Sequence, residues 1–506
     1  MVLLSLLLWG LALVIIGLLV MIGRQIIYWR LREIPYVDVY PVIGMFGPLF
    51  FRRKSLVELA DYYYHLCPGS KYYGMMDFNE PTLMIKDPEI LKEITVKSFD
   101  YFLNHRSFVE PEFDPLLSKN IFSLKDDRWR EMRSTLSPAF TASKMKFMFQ
   151  LVCQCSLDFI QYIKKHPEMT MEDLDLKDVY TRYTNDVIAT AAFGVSVNSL
   201  ENRDNEFYLN GKDASSFDGL GKFIRVIGGR LFPKLLRFLG LTFLSPKADK
   251  FFKTLVYDTV KTRDEKGIVR PDMIHLLMQA RDNERGIDVT TDDITAQAFI
   301  FFFAGFETTS RVMCLTSHLL SYHPEIQDRL RTEIDSVLGG EEGNVTYESL
   351  AQMTYLDMVL SESLRLFPPT PIMDRVCVKP YELPAPSAKN SKPFVVQPKT
   401  IIWMNIYGFH HDPNYFPNPE TFDPERFSEE NKNNIVPYTY MPFGLGPRKC
   451  IGERFALMEI KILIVQLLRH FVLKPSEKTT KDITFSKKSF DLNPERGFWT
   501  RLEARQ

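Results

Sequence analysis

The stretch Phe443-Gly444-Leu445-Gly446-Pro447-Arg448-Lys449-Cys450-Ile451-Gly452-Glu453-Arg454-Phe455-Ala456-Leu457-Met458 decides how the rest of the chain is read. It is a glycine-rich loop that presents one cysteine and runs into an apolar periodicity of helical spacing, residues 451–471. Gly446 and Gly452 admit positive φ and let backbone approach something flat and bulky. A helix N-terminus and Arg448 both favour a thiolate at Cys450. No second Cys or His lies near enough in sequence to complete a zinc site. A lone cysteine is most often a buried packing residue. The fixed positions around this one point instead to a ligand.

Three further constellations lie upstream. Glu362-Ser-Leu-Arg365 places an acid and a base three apart, on one helix face, among Met358, Val359, Leu360, Leu364 and Leu366. Such a pair on a surface helix means little, but here the neighbours are apolar and Pro424-Glu-Arg426-Phe427 follows. Residues 299–310 read Phe-Ile-Phe-Phe-Phe-Ala304-Gly305-Phe306-Glu307-Thr308-Thr309-Ser310. Gly305 opens a groove in that helix, and Thr308 can bond back to its own helix carbonyl and bend it. Taken alone, this would be a core helix with a threonine back-bond. Trp129 and Arg133 sit four apart on another helix face, the spacing of an everyday stacking contact.

The pattern F-x-x-G-x-R-x-C-x-G resembles the haem-binding loop of the cytochrome P-450 superfamily, and the other motifs follow in that family's order from Trp129 to Gly452. The resemblance implies haem b with Cys450 as the iron ligand, a thiolate whose electron donation favours O–O cleavage. It implies that Arg448, Trp129 and Arg133 meet the haem propionates, with Arg375 a further partner and His105 or Arg106 another, and that Phe443, Gly444, Gly452 and Ala304 line the cofactor. It gives Glu307 and Thr308 the role of relaying protons to bound dioxygen, and makes Glu362, Arg365 and Arg426 a buried ionic triad that holds the fold. It also implies a mainly α fold with small β-sheets, the cytochrome P-450 fold, preceded by one N-terminal transmembrane helix.

The residue pattern itself bounds the organisation. In 506 residues, 45% are hydrophobic and 25% charged, a globular composition. Lys+Arg total 62 against Asp+Glu 63, a balance that argues against a broad nucleic-acid face. Six cysteines in so long a chain do not make a disulfide scaffold. Residues 1–23 carry no charge and are long enough to cross a bilayer. Arg24, Arg30 and Arg32 follow, so that flank is expected in the cytosol. Basic residues after the apolar run, and none before it, argue for an anchor over a cleaved signal. Prolines and glycines over 24–50 read as a stiff, non-helical stalk. Residues 51–506 read as a single, mostly helical domain, which the resemblance makes the haem-thiolate domain: helical periodicity at 147–165, 294–322, 325–338 and 451–471, short strands at 82–85, 394–396 and 400–404, and no linker or repeat. The polar stretch 263–293 still holds the apolar island Met273–Met278, so it reads as helix plus loop.

The anchor makes the chain resemble the microsomal, endoplasmic-reticulum members of the family, with the catalytic part cytosolic. Electrons from NADPH are then expected through a separate flavoprotein, NADPH–cytochrome P-450 reductase, with cytochrome b5 a further partner. Lys125, Arg128, Arg130 and Lys449 are candidate basic contacts for it. Phe-Leu-Asn-His-Arg-Ser-Phe and Met-Asp-Arg-Val-Cys look like insect enzymes that oxidise foreign compounds. The expected pocket is apolar and takes small lipophilic substrates: Phe301, Phe303, Ile372, Met373 and Phe490, roofed by 102–122. Residues 219–246 lack acids but carry Lys222, Arg225, Arg230, Lys234 and Arg237 among apolar residues, which suits a membrane-surface segment or a solvated basic face about equally. The competing functions are an endogenous lipid or hormone hydroxylase, a haem-thiolate isomerase or dehydratase needing no reductase, and a non-catalytic haem protein. The intact Glu307–Thr308 pair argues against the isomerase.

Overall fold

The computed structural model describes residues 2–106, 114–216, 221–222, 225, 228–229, 233–270, 272–282, 289–340, 344–390, 392–488 and 492–505. It is mainly helical with three small sheets. The strands among the described residues are β1 (Tyr72–Asp77), β2 (Glu80–Ile85), β3 (Leu174–Asp175), β4 (Met373–Val376), β5 (Tyr381–Leu383), β6 (Phe394–Val396), β7 (Ile401–Met404), β8 (Phe471–Pro475) and β9 (Trp499–Ala504). Contacts divide the chain into two compact units.

The first unit comprises Met1–Arg106, Thr370–Pro419 and Ile435–Lys449. It begins with α1 (Val2–Arg30), whose apolar span Leu8–Arg30 has a mean hydropathy of 2.3 and is a candidate membrane crossing by length and composition. The helix runs seven residues past the expected boundary at 23. Trp29 explains the extension: it is buried in the unit's core, so packing holds the last turns helical. Ser55 then starts α2 (Leu56–His65) through a reciprocal capping box with Glu58. The main sheet runs β1-β2-β7-β4. β1 and β2 pair antiparallel with Tyr73 opposite Met84, β2 and β7 run parallel with Leu83 opposite Ile402, and β4 returns antiparallel with Arg375 opposite Ile402. All six residues of β1 are buried, so that strand lacks the alternation that would mark it in sequence. β5 and β6 form a separate hairpin.

The second unit comprises Ser107–Pro369, Glu420–Asn434 and Cys450–Gln506. Its helices include α3 (Asp126–Leu136), α4 (Ala142–Lys165), α5 (Leu176–Ile188), α6 (Glu206–Ser215), α7 (Pro246–Lys266), α8 (Thr291–Tyr322), α9 (Pro324–Leu338), α10 (Thr354–Leu366) and α11 (Glu453–His470). α8 is the axis. Thr290 and Asp293 cap its start reciprocally, and α5, α7 and α11 pack along it. It is apolar enough to cross a membrane but is mostly buried within the unit, the mark of a core helix. Phe302 on its inner face packs with Phe193, Phe207, Phe252 and Phe306. Gly211 of α6 makes room, since a Cβ there would stand 2.2 Å from the Phe302 ring. The polar stretch 263–293 does contain a helix, Met273–Arg281, capped by Asp272. β3, β9 and β8 make the third sheet, and α11 ends where β8 begins at Phe471.

Candidate active site

The loop that carries Cys450 is shaped by glycines, each for its own reason. Gly446 has φ +68°, and a Cβ on it would lie 1.9 Å from the Thr95 carbonyl oxygen. Its bareness therefore serves a close approach to protein backbone, where the sequence suggested approach to a flat ligand. Gly444 has φ +77° and packs under the Met373 side chain, about 3 Å from where a Cβ would sit. Gly452 differs from expectation, with φ −88°: it is the N-cap of α11, and a Cβ there would stand 4.0 Å from Cys450 Sγ. Cys450 itself is exposed. Phe443 is half-buried.

Within the first unit, Arg375 of β4 is completely buried. Its Nη1 donates to the Asp374 carbonyl at 2.8 Å and to the His105 ring at 3.3 Å, and its Nη2 donates to the Leu445 carbonyl at 3.3 Å. Its Nε is buried without a hydrogen-bond partner among the described residues. Burial lowers its pKa to about 10 against the opposing charge of Asp374. His105 is lowered to about 4, by burial first and then by Arg375, so its ring is neutral at physiological pH. Arg448 is buried and its Nε donates to the Leu103 carbonyl at 3.0 Å. Of the two alternatives His105 and Arg106, it is His105 that joins Arg375. The Arg106 side chain is engaged by Asp77 and by Glu80 at 3.2 Å. Ile372 and Met373 are half-buried.

Within the second unit, Trp129 is 3% exposed on α3, and Arg133 lies one turn on. Burial lowers the Arg133 pKa, and the nearby Cys450 sulfur, when ionised, opposes that shift. Arg133 thus lies within electrostatic reach of the cysteine. Ala304, Thr308 and Phe301 share the less buried face of α8, and Phe301 packs its ring on Phe140 at 5.6 Å. Phe303 stacks loosely with Phe299 at 6.1 Å. Thr308 Oγ1 donates to the Ala304 carbonyl, the back-bond its position suggested, and the helix continues unbroken through it. Phe490 lies outside the described residues, as do 107–113 of the expected roof. Phe102, at its start, is fully buried in the first unit's core.

The acid of this helix has partners that no motif announces. Glu307 is ion-paired to Lys177 of α5, and Arg311 approaches it at 3.5 Å. Lys177 Nζ also donates to Ser310 Oγ at 3.3 Å. Burial alone would raise the Glu307 pKa, but the charges of Lys177 and Arg311 outweigh it and hold the carboxyl below its ordinary range. Glu307 is therefore ionised at neutral pH. Lys177 stands 130 residues away in sequence, with only its place just after the N-cap Asp175 to mark it.

The ionic triad is present. Glu362 and Arg365 are both 0% exposed and meet in a two-pronged pair, Nε to Oε2 and Nη2 to Oε1, each 2.8 Å. Arg426 Nε reaches Glu362 Oε1 at 3.3 Å, and the Asp423 amide donates to the same oxygen at 3.0 Å. Arg365 also donates to the Thr421 carbonyl at 3.2 Å. α10 is thereby tied to the 420–434 segment.

These residues suit a haem. A buried guanidinium with an orphaned N–H, as at Arg375, calls for an anion such as a propionate, and a loop cysteine at a helix start beside Arg133 suits a thiolate ligand. Comparison with known proteins agrees. The family model described as Cytochrome P450 matches residues 40–501. Cytochrome P450 9e2 of Blattella germanica is 47% identical, covering 99% of this chain and 98% of its own. Probable cytochrome P450 9f2 of Drosophila melanogaster is 40% identical over 94% of this chain and 95% of its own, and cytochrome P450 6k1 of Blattella germanica is 35% identical over 91% and 90%. The loop geometry, the buried triad and these matches across nearly the whole chain lead to one conclusion: the protein belongs to the cytochrome P450 family of monooxygenases and resembles its insect members.

Proposed function

We propose that this monooxygenase is anchored in the endoplasmic reticulum membrane by α1 and oxidises small lipophilic compounds, foreign ones in particular, with NADPH-derived electrons from a partner flavoprotein, and that residues 51–506 act as its one catalytic domain. The observation that carries the reading is Cys450 in its glycine-shaped loop just before α11, within a match to the Cytochrome P450 family model over residues 40–501. The haem, when bound, supplies dioxygen activation. By the family resemblance, Cys450 Sγ would bind its iron, Arg448, Trp129, Arg133, Arg375 and His105 would meet its propionates, and Phe443, Gly444, Gly452 and Ala304 would line it.

Protons are handled by the chain's own residues. Thr308 Oγ and the Glu307 carboxylate, at Oε2, would hold and pass the protons that dioxygen activation consumes. Lys177 supports that role: its side chain is 22% exposed, so it links a 19% exposed carboxylate to solvent. Phe301 and Phe303 on α8 would supply apolar walls. Such walls discriminate weakly among lipophilic substrates, which fits broad oxidation of foreign compounds.

Membrane and partner surfaces follow the same logic. In the second unit, Phe238 is 86% exposed and Leu235 and Leu239 are more than half exposed beside the exposed Lys234, an apolar surface with a basic flank that suits the bilayer interface. Phe223, Ile227, Arg230 and Leu231 of that stretch lie outside the described residues. Lys125 and Lys449 are exposed. Arg128 pairs with Asp293 at 3.4 Å and Arg130 with Asp127 at 3.7 Å, so Lys125 is the stronger candidate of the α3 group for an acidic reductase. Cytochrome b5 would compete for the same basic groups.

The absorbance of the dithionite-reduced, carbon-monoxide-bound protein tests the cysteine. A strongly red-shifted Soret band that disappears in Cys450→Ser is expected. A band at the position of histidine-ligated haem would overturn the assignment. With reductase and a panel of lipophilic toxins, substrate-dependent NADPH consumption is expected. Turnover of endogenous sterols or fatty acids alone would replace the foreign-compound reading.

A further inference from the structure

The stretch Leu49-Phe50-Phe51-Arg52-Arg53-Lys54, in the first unit, is absorbed by nothing above. Phe51 is 51% exposed and three consecutive cations follow it. None of the three is among the ion pairs of the described residues. Arg53 donates to Tyr40 Oη at 3.1 Å, and Lys54 Nζ lies 4.9 Å over the Tyr62 ring, so aromatic partners hold these two and leave their charge unneutralised. The turn that presents them is tight: the Arg53 and Lys54 amides both donate to the Pro48 carbonyl, and Arg52 sits at φ +54°, a left-handed conformation rare for arginine.

The position of this loop follows from α1. The apolar run ends at Arg24, and the next residue, Gln25, is buried. Gln25 Oε1 accepts from the Val42 amide at 3.0 Å, and its Nε2 donates to the Phe78 carbonyl. One turn on, Trp29 Nε1 donates to the Met75 carbonyl at 2.7 Å, and its ring lies on Gly74, where a Cβ would stand 2.4 Å away. The segment beyond is no loose tether, for the Gly74 amide donates to the Pro35 carbonyl and the Val37 amide to the Gly74 carbonyl. Tyr40, two residues before Val42, sets its ring 5.7 Å from that of Phe51. The contacts Gln25–Val42, Tyr40–Phe51 and Tyr40–Arg53 thus hold the loop a few side chains from the level where α1 turns polar. For a spanning helix that level is the cytosolic headgroup layer, where aromatic rings anchor and cations meet anionic lipid.

We propose that Phe51 and Arg52-Arg53-Lys54 form a contact for anionic phospholipid headgroups of the leaflet from which α1 emerges, with the ring in the interfacial layer and the cations on the headgroup anions. This rests on the reading of α1 as a membrane span. The clamp by Gln25 and Trp29 favours lipid over an acidic protein, because it holds the loop at the membrane's own level.

The test uses the full-length holoenzyme in nanodiscs, with Phe51→Trp as reporter and the parent, which carries Trp9 in α1, subtracted. Spin-labelled phosphatidylserine and phosphatidylcholine are compared as quenchers at equal mole fraction. Phosphatidylserine should quench the reporter about fivefold more strongly, the effect of one surface cation. The ratio should fall to about one when salt rises from about 0.1 M to about 1 M, and also when R52Q, R53Q and K54Q are added. Tyr62→Trp, beneath Lys54, is a second reporter should the first fold poorly, and the carbon-monoxide spectrum reports integrity. Equal quenching by the two lipids at low salt would overturn the proposal. So would a reporter untouched by either lipid while Trp9 is quenched, including the case where the triple variant loses reductase-supported turnover because a protein occupies the patch. If Trp9 also escapes quenching, α1 does not span and the anchor reading fails first.

Discussion

Glu362 and Arg365 are wholly buried charges, and their energetics are set by each other. Removing one leaves the other without compensation in a dry site, a loss of about 3–5 kcal/mol. Arg365→Ala is expected to lower the thermal midpoint sharply and to release haem, whereas exposed Arg130→Ala should scarcely move it; differential scanning calorimetry separates the two. Gly446→Ala makes a second prediction from one atom. Its Cβ would meet the Thr95 carbonyl at 1.9 Å in a left-handed backbone, so a destabilisation of about 1–3 kcal/mol or more is expected, read as a lower urea midpoint. The i, i+3 spacing made the acid–base pair visible in the sequence, and the apolar neighbours hinted at burial. The partner of Gly446 lies 351 residues away by number, and no local signal could name it.

At the scale of elements, α5 and α8 meet through Lys177 and Glu307. Lys177→Met removes the largest charge that holds the Glu307 carboxyl down, so its pKa should rise toward and past its ordinary range because burial then dominates. The acid limb of the pH–turnover profile should move to higher pH in the variant, while the carbon-monoxide spectrum stays intact. The sign for stability agrees. A carboxyl lowered in the folded state contributes stability that is present above its unfolded pKa and lost as pH falls through the folded value, so the variant should be less stable than wild type at pH 7 and nearly equal to it under acid. Unchanged profiles would show that Lys177 plays no positioning role. α8 and α11 were visible as periodic runs because amphipathic helices repeat every 3.6 residues. β1 was not, since both its faces are buried and its side chains do not alternate. α1 was expected to stop at 23 because charges begin at Arg24. It continues to Arg30 because Gln25 and Trp29 are received by the first unit's sheet.

For the molecule as a whole, buried carboxyls set part of the pH response. Glu459 of α11 is fully buried, both its oxygens lack hydrogen-bond partners among the described residues, and burial raises its pKa well above 4.5. Asp186, on α5, is raised to about 6, also by burial. A carboxyl raised in the folded state contributes stability that is complete below its unfolded pKa and is lost as pH rises toward the folded value. Glu459→Gln removes one such loss. Its thermal midpoint should match wild type near pH 4.5 and exceed it by a margin that widens toward pH 8. A margin that did not change with pH would mean that Glu459 is ionised in the folded protein, paired through groups beyond those described.

The motifs that point to this protein's family are local. Cys450 in its glycine loop, the Glu362–Arg365 pair, the Ala304–Thr308 run and the Trp129–Arg133 face each sit within a few residues, so spacing alone carries them and their order in the chain points to the family. The apolar run that opens the chain is local in the same way, because crossing a bilayer is a matter of length and hydropathy. Tertiary structure decided what depends on meetings between distant segments. It paired Lys177 with Glu307, set His105 rather than Arg106 beside Arg375, spent Gly446 on the Thr95 carbonyl, and joined the end of α1 to the sheet through Gln25 and Trp29. Such contacts follow from close packing and from the need to satisfy each buried polar group, and a single stretch of sequence contains neither condition.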